Sequence, residues 1–124
     1  MHKLRPGVSQ TLSLTVTPEY TAHAMGNTGV HVLGTPAIVL KMEDVSSRIL
    51  ASYLEPGETS VGTIVNIQHI GPAKTGDLVV FRSFVTSVER NRVQFHCTAE
   101  AENGQVLAHG THERAVILTE RVDP

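Results

Sequence analysis

The stretch between Thr35-Pro36 and Pro56-Gly57 carries the only strong helix signal in the chain, and its apolar pattern dictates what must surround it. Thr can accept a hydrogen bond from an early helical N–H, and Pro suits the first helical position, where its missing donor is not needed. The predicted helix ends near Tyr53 or Leu54, so its length of about 18 residues corresponds to about 27 Å at 1.5 Å per residue. At 100° per residue, Val45, Ile38, Ile49, Met42 and Tyr53 share one arc, and Val39, Leu50, Leu54 and Leu40 continue it. Asp44, Glu55, Arg48, Lys41 and Ser52 are left with roughly 80 to 90°. A lone helix apolar over about three-quarters of its circumference calls for a sheet that curls around it, with a dimer partner covering what the sheet leaves open.

The remaining segments have strand character. From Val8 to Thr17, Val8, Leu12, Leu14 and Val16 alternate with Ser and Thr, as in a half-buried strand. Pro18 to Gly34 keeps no period and is predicted to be a long loop. Ser60–Ile70, Asp77–Val88, Arg92–Glu100 and Gln105–Leu118 are rich in Val, Ile, Phe and Thr. Gly71-Pro72, Arg90-Asn91 and Asn103-Gly104 separate them, and such short connections predict an antiparallel meander. The fold class is therefore α+β, with five antiparallel strands wrapped around one long central helix.

With 124 residues the chain is expected to form a single domain over residues 1–124. Its formal net charge of −2 gives no electrostatic case for nucleic acid or anionic lipid. No segment reaches the roughly 18 apolar residues of a membrane span, and Met1 to Gly7 leads into no apolar stretch of a secretory signal. A lone cysteine, Cys97, excludes an intrachain disulfide, and its parity with Val93, Phe95 and Ala99 predicts a buried, inert thiol. The expected location is the cytoplasm. No metal or cofactor is expected: His109 and His112 have opposite parity and cannot chelate one ion from one face.

Two polar residues interrupt the apolar pattern. Glu43 projects between Leu50 and Leu54 in helix angle, so it belongs to the buried arc. A carboxylate there must be paired, hydrogen-bonded or protonated. In the strand from Ser60, residues Val61, Thr63, Val65, Ile67 and His69 share one parity, which points His69 toward the helix side. Glu43 and His69 are thus expected to meet in one buried layer, within one chain or across an interface, and to bias each other's protonation.

These residues, with their spacing, carry a family resemblance. Thr35 followed by Glu43, then Tyr53-Leu54-Glu55-Pro56-Gly57-Glu58, Gly62-Thr63, His69 and Gly110-Thr111-His112-Glu113-Arg114-Ala115-Val116-Ile117, closely resembles the fluoroacetyl-CoA thioesterase family of hotdog-fold enzymes. The likeness covers about Gly34 to Ile117. It implies a hotdog fold, a homodimer or dimer of dimers with sheets joined edge to edge, and acyl-CoA sites near the interface. It also implies catalytic roles for Thr35, Glu43 and His69 and places Gly62 near the acyl group. Two departures stand out. Gly26 to Leu33 lacks the phenylalanine of the family's lid, which is tied to choosing the fluorinated substrate, and Pro36 replaces a glycine.

Thioester hydrolysis needs an activated nucleophile and oxyanion donors, whereas thiolate departure needs little help. Glu43 is the candidate general base on water or direct nucleophile, and His69 would orient it or pass a proton to sulfur. Thr35 is either a hydrogen-bonding partner of acyl group and Glu43 or a plain helix cap. The N–H of Gly62 or Ala37 is the candidate oxyanion donor, and His112 with Arg114, sharing a face, is placed to reach a CoA phosphate or a partner subunit. The expected activity is hydrolysis of a small acyl-CoA. The alternatives are a non-catalytic acyl-CoA binding module and, less well matched, a hydratase on the same fold.

Overall fold

The computed structural model describes residues 1–121. Five strands, β1 (Ser9–Thr15), β2 (Glu58–His69), β3 (Leu78–Glu89), β4 (Arg92–Ala101) and β5 (Val106–Leu118), form one antiparallel sheet around α1 (Thr35–Ala51). The strand order is β1-β3-β4-β5-β2. This wrapped-helix arrangement is the hotdog fold.

Only β3, β4 and β5 form the expected meander. β2 pairs with β5 and not with β3, so the connection over residues 70–77 crosses from one side of the sheet to the other. An eight-residue link can span about 26 Å, and three strand spacings need only about 15 Å. A link of that length therefore does not force its two strands to be neighbours. The crossing segment is held down by buried Ala73, whose carbonyl accepts from Leu33 N at 2.8 Å.

The helix faces the sheet with Ile38, Met42, Val45 and Ile49, all buried, at the spacing expected of one stripe. Opposite them lie Val79, Phe81 and Val85 of β3 and Val93, Phe95, Cys97 and Ala99 of β4; the outward residues are polar in β4, whereas β3 turns Val80 and Phe84 outward on either side of Arg82. Each fully buried large side chain contributes roughly 1.5–3 kcal/mol of transfer free energy. Ser46, Ser83 and Cys97 form a small polar knot in this layer, with Ser46 Oγ 2.8 Å from Ser83 Oγ and the sulfur 3.6 Å from each. Burial pushes the Cys97 thiol up, which keeps it an unreactive thiol.

The sheet covers less of the helix than the angular pattern predicts. Leu40 of the helix remains 56% exposed, and β2, an edge strand, leaves Ile64 and Val65 exposed as well. The segment expected as a loop folds back on itself as a narrow ribbon: Thr21 bridges Leu33, and Ala22 N and His23 N donate to Val32 O and Val30 O. Val32 in turn bridges Lys74 in the crossing segment. This ribbon delivers the chain to the start of α1 next to the end of β2.

Candidate active site

The helix start differs from the sequence expectation in a way that frees a hydroxyl. Gly34, not Thr35, flanks the first turn, and its carbonyl accepts from Ala37 N at 3.0 Å and Ile38 N at 3.2 Å. Thr35 is the first helical residue and its side chain caps nothing. Its Oγ1 lies 2.8 Å from His69 Nδ1, while His69 Nε2 lies 2.9 Å from the carbonyl oxygen of Gly71. A carbonyl can only accept, so Nε2 carries the proton and Nδ1 takes the hydroxyl proton of Thr35. The result is a hydroxyl–imidazole–carbonyl chain of the kind that activates or orients an oxygen. Gly71 was not foreseen, because a backbone carbonyl leaves no signature in residue type. The same first turn removes Ala37 from the candidate oxyanion donors, since its N–H is already given to Gly34.

Within the chain Glu43 does not pair with His69. Its carboxylate, 38% exposed, meets Arg114 of β5, with Oε2 3.4 Å from Nη1. Eight residues along a helix amount to about 12 Å, so Thr35 with its His69 partner sits at the helix start while Glu43 sits near mid-helix. Within one chain the two do not meet, because helix angle fixes a side chain's direction and not its height along the axis.

The pairing of β2 with β5 explains why Glu43 has room. The register runs from His69 opposite Ala108 to Ile64 opposite Glu113, then resumes at Gly62 opposite Arg114, leaving Thr63 as an extra, bulged residue. His69, Ile67 and Val65 face the helix as expected. Beyond the bulge the parity reverses, and Gly62 and Ser60 face the helix in place of Val61 and Thr63. A Cβ at Gly62 would collide with Glu43 Oε2 and come within 3.3 Å of His112 Cε1. Gly62 is therefore the floor on which the carboxylate sits. On the outer face Thr63 Oγ1 donates to Glu113 Oε2 at 2.6 Å, and Arg92 Nη1 donates to the same oxygen at 2.8 Å. The Thr63 hydroxyl and then Arg92 hold the Glu113 carboxyl below its usual range.

His112 and Arg114 do share a face, but it is the inner one, and both are buried rather than open to a CoA phosphate. Every nitrogen of the Arg114 guanidinium is engaged within the chain. Burial lowers the pKa values of both side chains; for Arg114 the Glu43 carboxylate opposes the shift. Among the described residues no group of three or more His, Cys, Asp or Glu side chains is arranged to hold a metal ion. No helix among them is long and apolar enough to cross a membrane.

A hotdog sheet with an ionisable pair at mid-helix and a Thr–His chain at the helix start defines the class of thioesterase-like hotdog proteins. The comparisons narrow it. The model of the family described as "FlK: Fluoroacetyl-CoA-specific thioesterase" matches residues 16–120, and the chain belongs to that family, whose characterised relatives are thioester hydrolases. The fluoroacetyl-CoA thioesterase of Streptantibioticus cattleyicolor is 37% identical over 90 residues, a match covering 73% of this chain and 64% of that protein. The solved structure of the fluoroacetyl-CoA thioesterase FlK superposes with a TM-score of 0.91 at 30% identity, covering 98% of this chain and 94% of that one. A Thermus thermophilus thioesterase superfamily member gives a TM-score of 0.92 at 27% identity, over 99% and 90% of the two chains.

Proposed function

We propose that the protein is an acyl-CoA thioesterase that hydrolyses a small acyl-CoA to the free acid and CoA. The observation that carries this reading is the Thr35–His69–Gly71 hydrogen-bond chain, which serves no capping or core role and faces open space at the start of α1. In the proposed reaction Glu43 takes a proton from water as the water attacks the thioester carbon. The proton is returned to the departing sulfur, whose ordinary acidity makes it a good leaving group. Direct attack by Glu43 followed by hydrolysis of the anhydride yields the same products. The N–H of Gly62 serves the carbonyl oxygen, and the Thr35 oxygen, its proton given to His69, keeps its lone pairs for the attacking water. The ribbon before α1 lacks the aromatic lid residue, so the substrate is assigned as a short acyl-CoA without a preference for fluorine.

The two halves are completed in a homodimer. β2 is an edge strand with exposed Ile64 and Val65, and antiparallel pairing of two β2 strands about a twofold axis at Asn66 sets Val65 opposite Ile67 of the other copy and, across the Thr63 bulge, His69 opposite Gly62. Thr35 and His69 would then face Glu43 across the interface. A thiol-release assay over a panel of acyl-CoAs tests the activity: release from short acyl groups is expected, and binding without release would make the protein a non-catalytic acyl-CoA module. Co-expressing Glu43→Gln with His69→Ala chains tests the shared site. Each single variant is expected to be nearly inactive, and the mixture should regain up to about a quarter of wild-type activity, since about half the dimers are mixed and each holds one intact site. No recovery would place both residues in one chain's site.

A further inference from the structure

Arg114 is held far more completely than a surface ion pair requires. Its Nε donates to Ser60 Oγ at 3.0 Å and its Nη2 to Ser60 O at 3.1 Å, a fork on one residue that fixes the guanidinium plane. The remaining nitrogen, Nη1, stands 3.4 Å from Glu43 Oε2 and 3.3 Å from His112 Nε2. His112 Nδ1 lies 2.8 Å from the carbonyl of Ile64, so that nitrogen is the donor and Nε2 presents a lone pair to Arg114. The ring packs near-parallel to Phe95 at 6.0 Å and is buried. Ser60 precedes the bulge in β2 and Ile64 follows it. The guanidinium is thus gripped from both sides of the bulge, and the bulge also supplies Gly62 beneath the carboxylate.

We propose that Arg114, oriented by His112 and Ser60, is a positioning residue that holds Glu43 Oε2 and leaves Oε1 turned toward the reacting thioester. The proposal rests on the thioesterase reading above and names the device that aims its carboxylate. Among the described residues no side chain hydrogen-bonds Oε1, so one oxygen is fixed and the other is free for chemistry. His112 is suited to the role only when neutral: protonated, it would aim an N–H at the guanidinium. Burial first, and the Arg114 charge after it, favour that neutral form. This assignment differs from a CoA-phosphate role, which would need guanidinium nitrogens facing solvent.

The test measures kcat and KM by thiol release for Arg114→Gln, Arg114→Lys, His112→Phe and His112→Gln, each with acetyl-CoA and with acetyl-pantetheine, which lacks the nucleotide phosphates. Arg114→Gln is expected to lower kcat by about 100-fold on both substrates with KM changed less than about threefold, because a carboxylate displaced by about 1 Å loses that much. His112→Phe keeps the ring packing without the acceptor and is expected to lose about tenfold in kcat. His112→Gln, whose amide oxygen can accept from Nη1, should recover most of it. A KM rise confined to acetyl-CoA would overturn the proposal in favour of phosphate binding, and an unchanged kcat would overturn it outright. Arg114→Lys, expected between wild type and Arg114→Gln, carries the test if the neutral variant does not fold. Wild-type protein inactive on every thioester would instead defeat the thioesterase reading. Crystal structures then still decide the positioning claim: a Glu43 carboxylate left in place over Gly62 in His112→Phe refutes it.

Discussion

Replacing Gly62 with alanine is expected to uncouple activity from stability. The new methyl would sit against Glu43 Oε2, well inside contact distance, with His112 Cε1 at 3.3 Å and Arg114 Nη1 at 3.5 Å. Ordinary carbon–oxygen contact requires the carboxylate to withdraw by roughly 1 Å, and the half-exposed Glu43 side chain can do so by swinging toward solvent. Gly62 has no left-handed φ, so alanine fits its backbone and lowers the entropy of the unfolded chain by about 0.4–1 kcal/mol. That gain is offset by the weakened Glu43–Arg114 pair, a partly exposed contact of about 1 kcal/mol or less. The melting temperature should therefore stay within a few degrees of wild type. A 1 Å error in a reacting group costs about 100-fold, or about 2.7 kcal/mol of transition-state stabilisation, so kcat in the thiol-release assay should fall by about two orders of magnitude. In an Arg114→Gln background the same substitution should cost much less, because the carboxylate is already unanchored. A Gly62→Ala enzyme with kcat within threefold of wild type would refute the view that this glycine exists to seat the carboxylate.

Two further outcomes follow from the hydrogen bonds. Thr35→Val leaves His69 Nδ1 without its donor and is expected to lower kcat by about 10- to 100-fold, whereas Thr35→Ser should stay within about fivefold. Because Thr35 caps nothing, urea denaturation of either variant should shift by less than about 0.5 kcal/mol, and a larger loss would restore the capping role. Stability should also fall in two stages on acidification. His112 has a lowered pKa in the fold, so its contribution is complete above about 6.5 and declines below it, as the unfolded chain takes up the proton first. Glu113, also lowered, contributes fully above about 4.5 and is lost as pH falls through its folded-state value. Melting temperatures recorded from about pH 2.5 to pH 8 should show His112→Gln flattening the first stage and Thr63→Val the second; an unaltered wild-type slope in His112→Gln between about pH 7.5 and 5.5 contradicts the buried neutral imidazole.

What the sequence made legible was whatever depends on period alone. The helix from Thr35, its buried stripe of Ile38, Met42, Val45 and Ile49, and the inward direction of His69 all follow from angles and alternation. The order of strands did not follow, because an eight-residue crossing permits both a neighbouring and a distant strand. The partner of Glu43 was hidden for a related reason. Helix angle aimed it correctly at β2, but the cation it meets stands on β5, and only the register of Gly62 against Arg114 brings that guanidinium up to the carboxylate. His112 and Arg114 share a face by parity alone, yet residue type pointed to solvated side chains or to a contact with a CoA phosphate or partner subunit, and not to a buried clamp.

Parity itself shows why the bulge is indispensable. Gly62 and His69 are seven residues apart, an odd separation, and an uninterrupted strand would turn them to opposite faces. If His69 faced the helix to receive Thr35, position 62 would face outward and Val61 would project its side chain into the space that Glu43 occupies. One extra residue at Thr63 reverses the alternation once and turns Gly62 inward while His69 keeps its direction. The same extra residue leaves Thr63 outside, where its bond to Glu113 pins the bulge from the far face, while Ser60 and the Ile64 carbonyl pin the near face through Arg114 and His112. A strand that holds a seat for the carboxylate and an imidazole for the hydroxyl at this spacing must contain an odd number of such insertions, and this one contains a single insertion fastened on both sides.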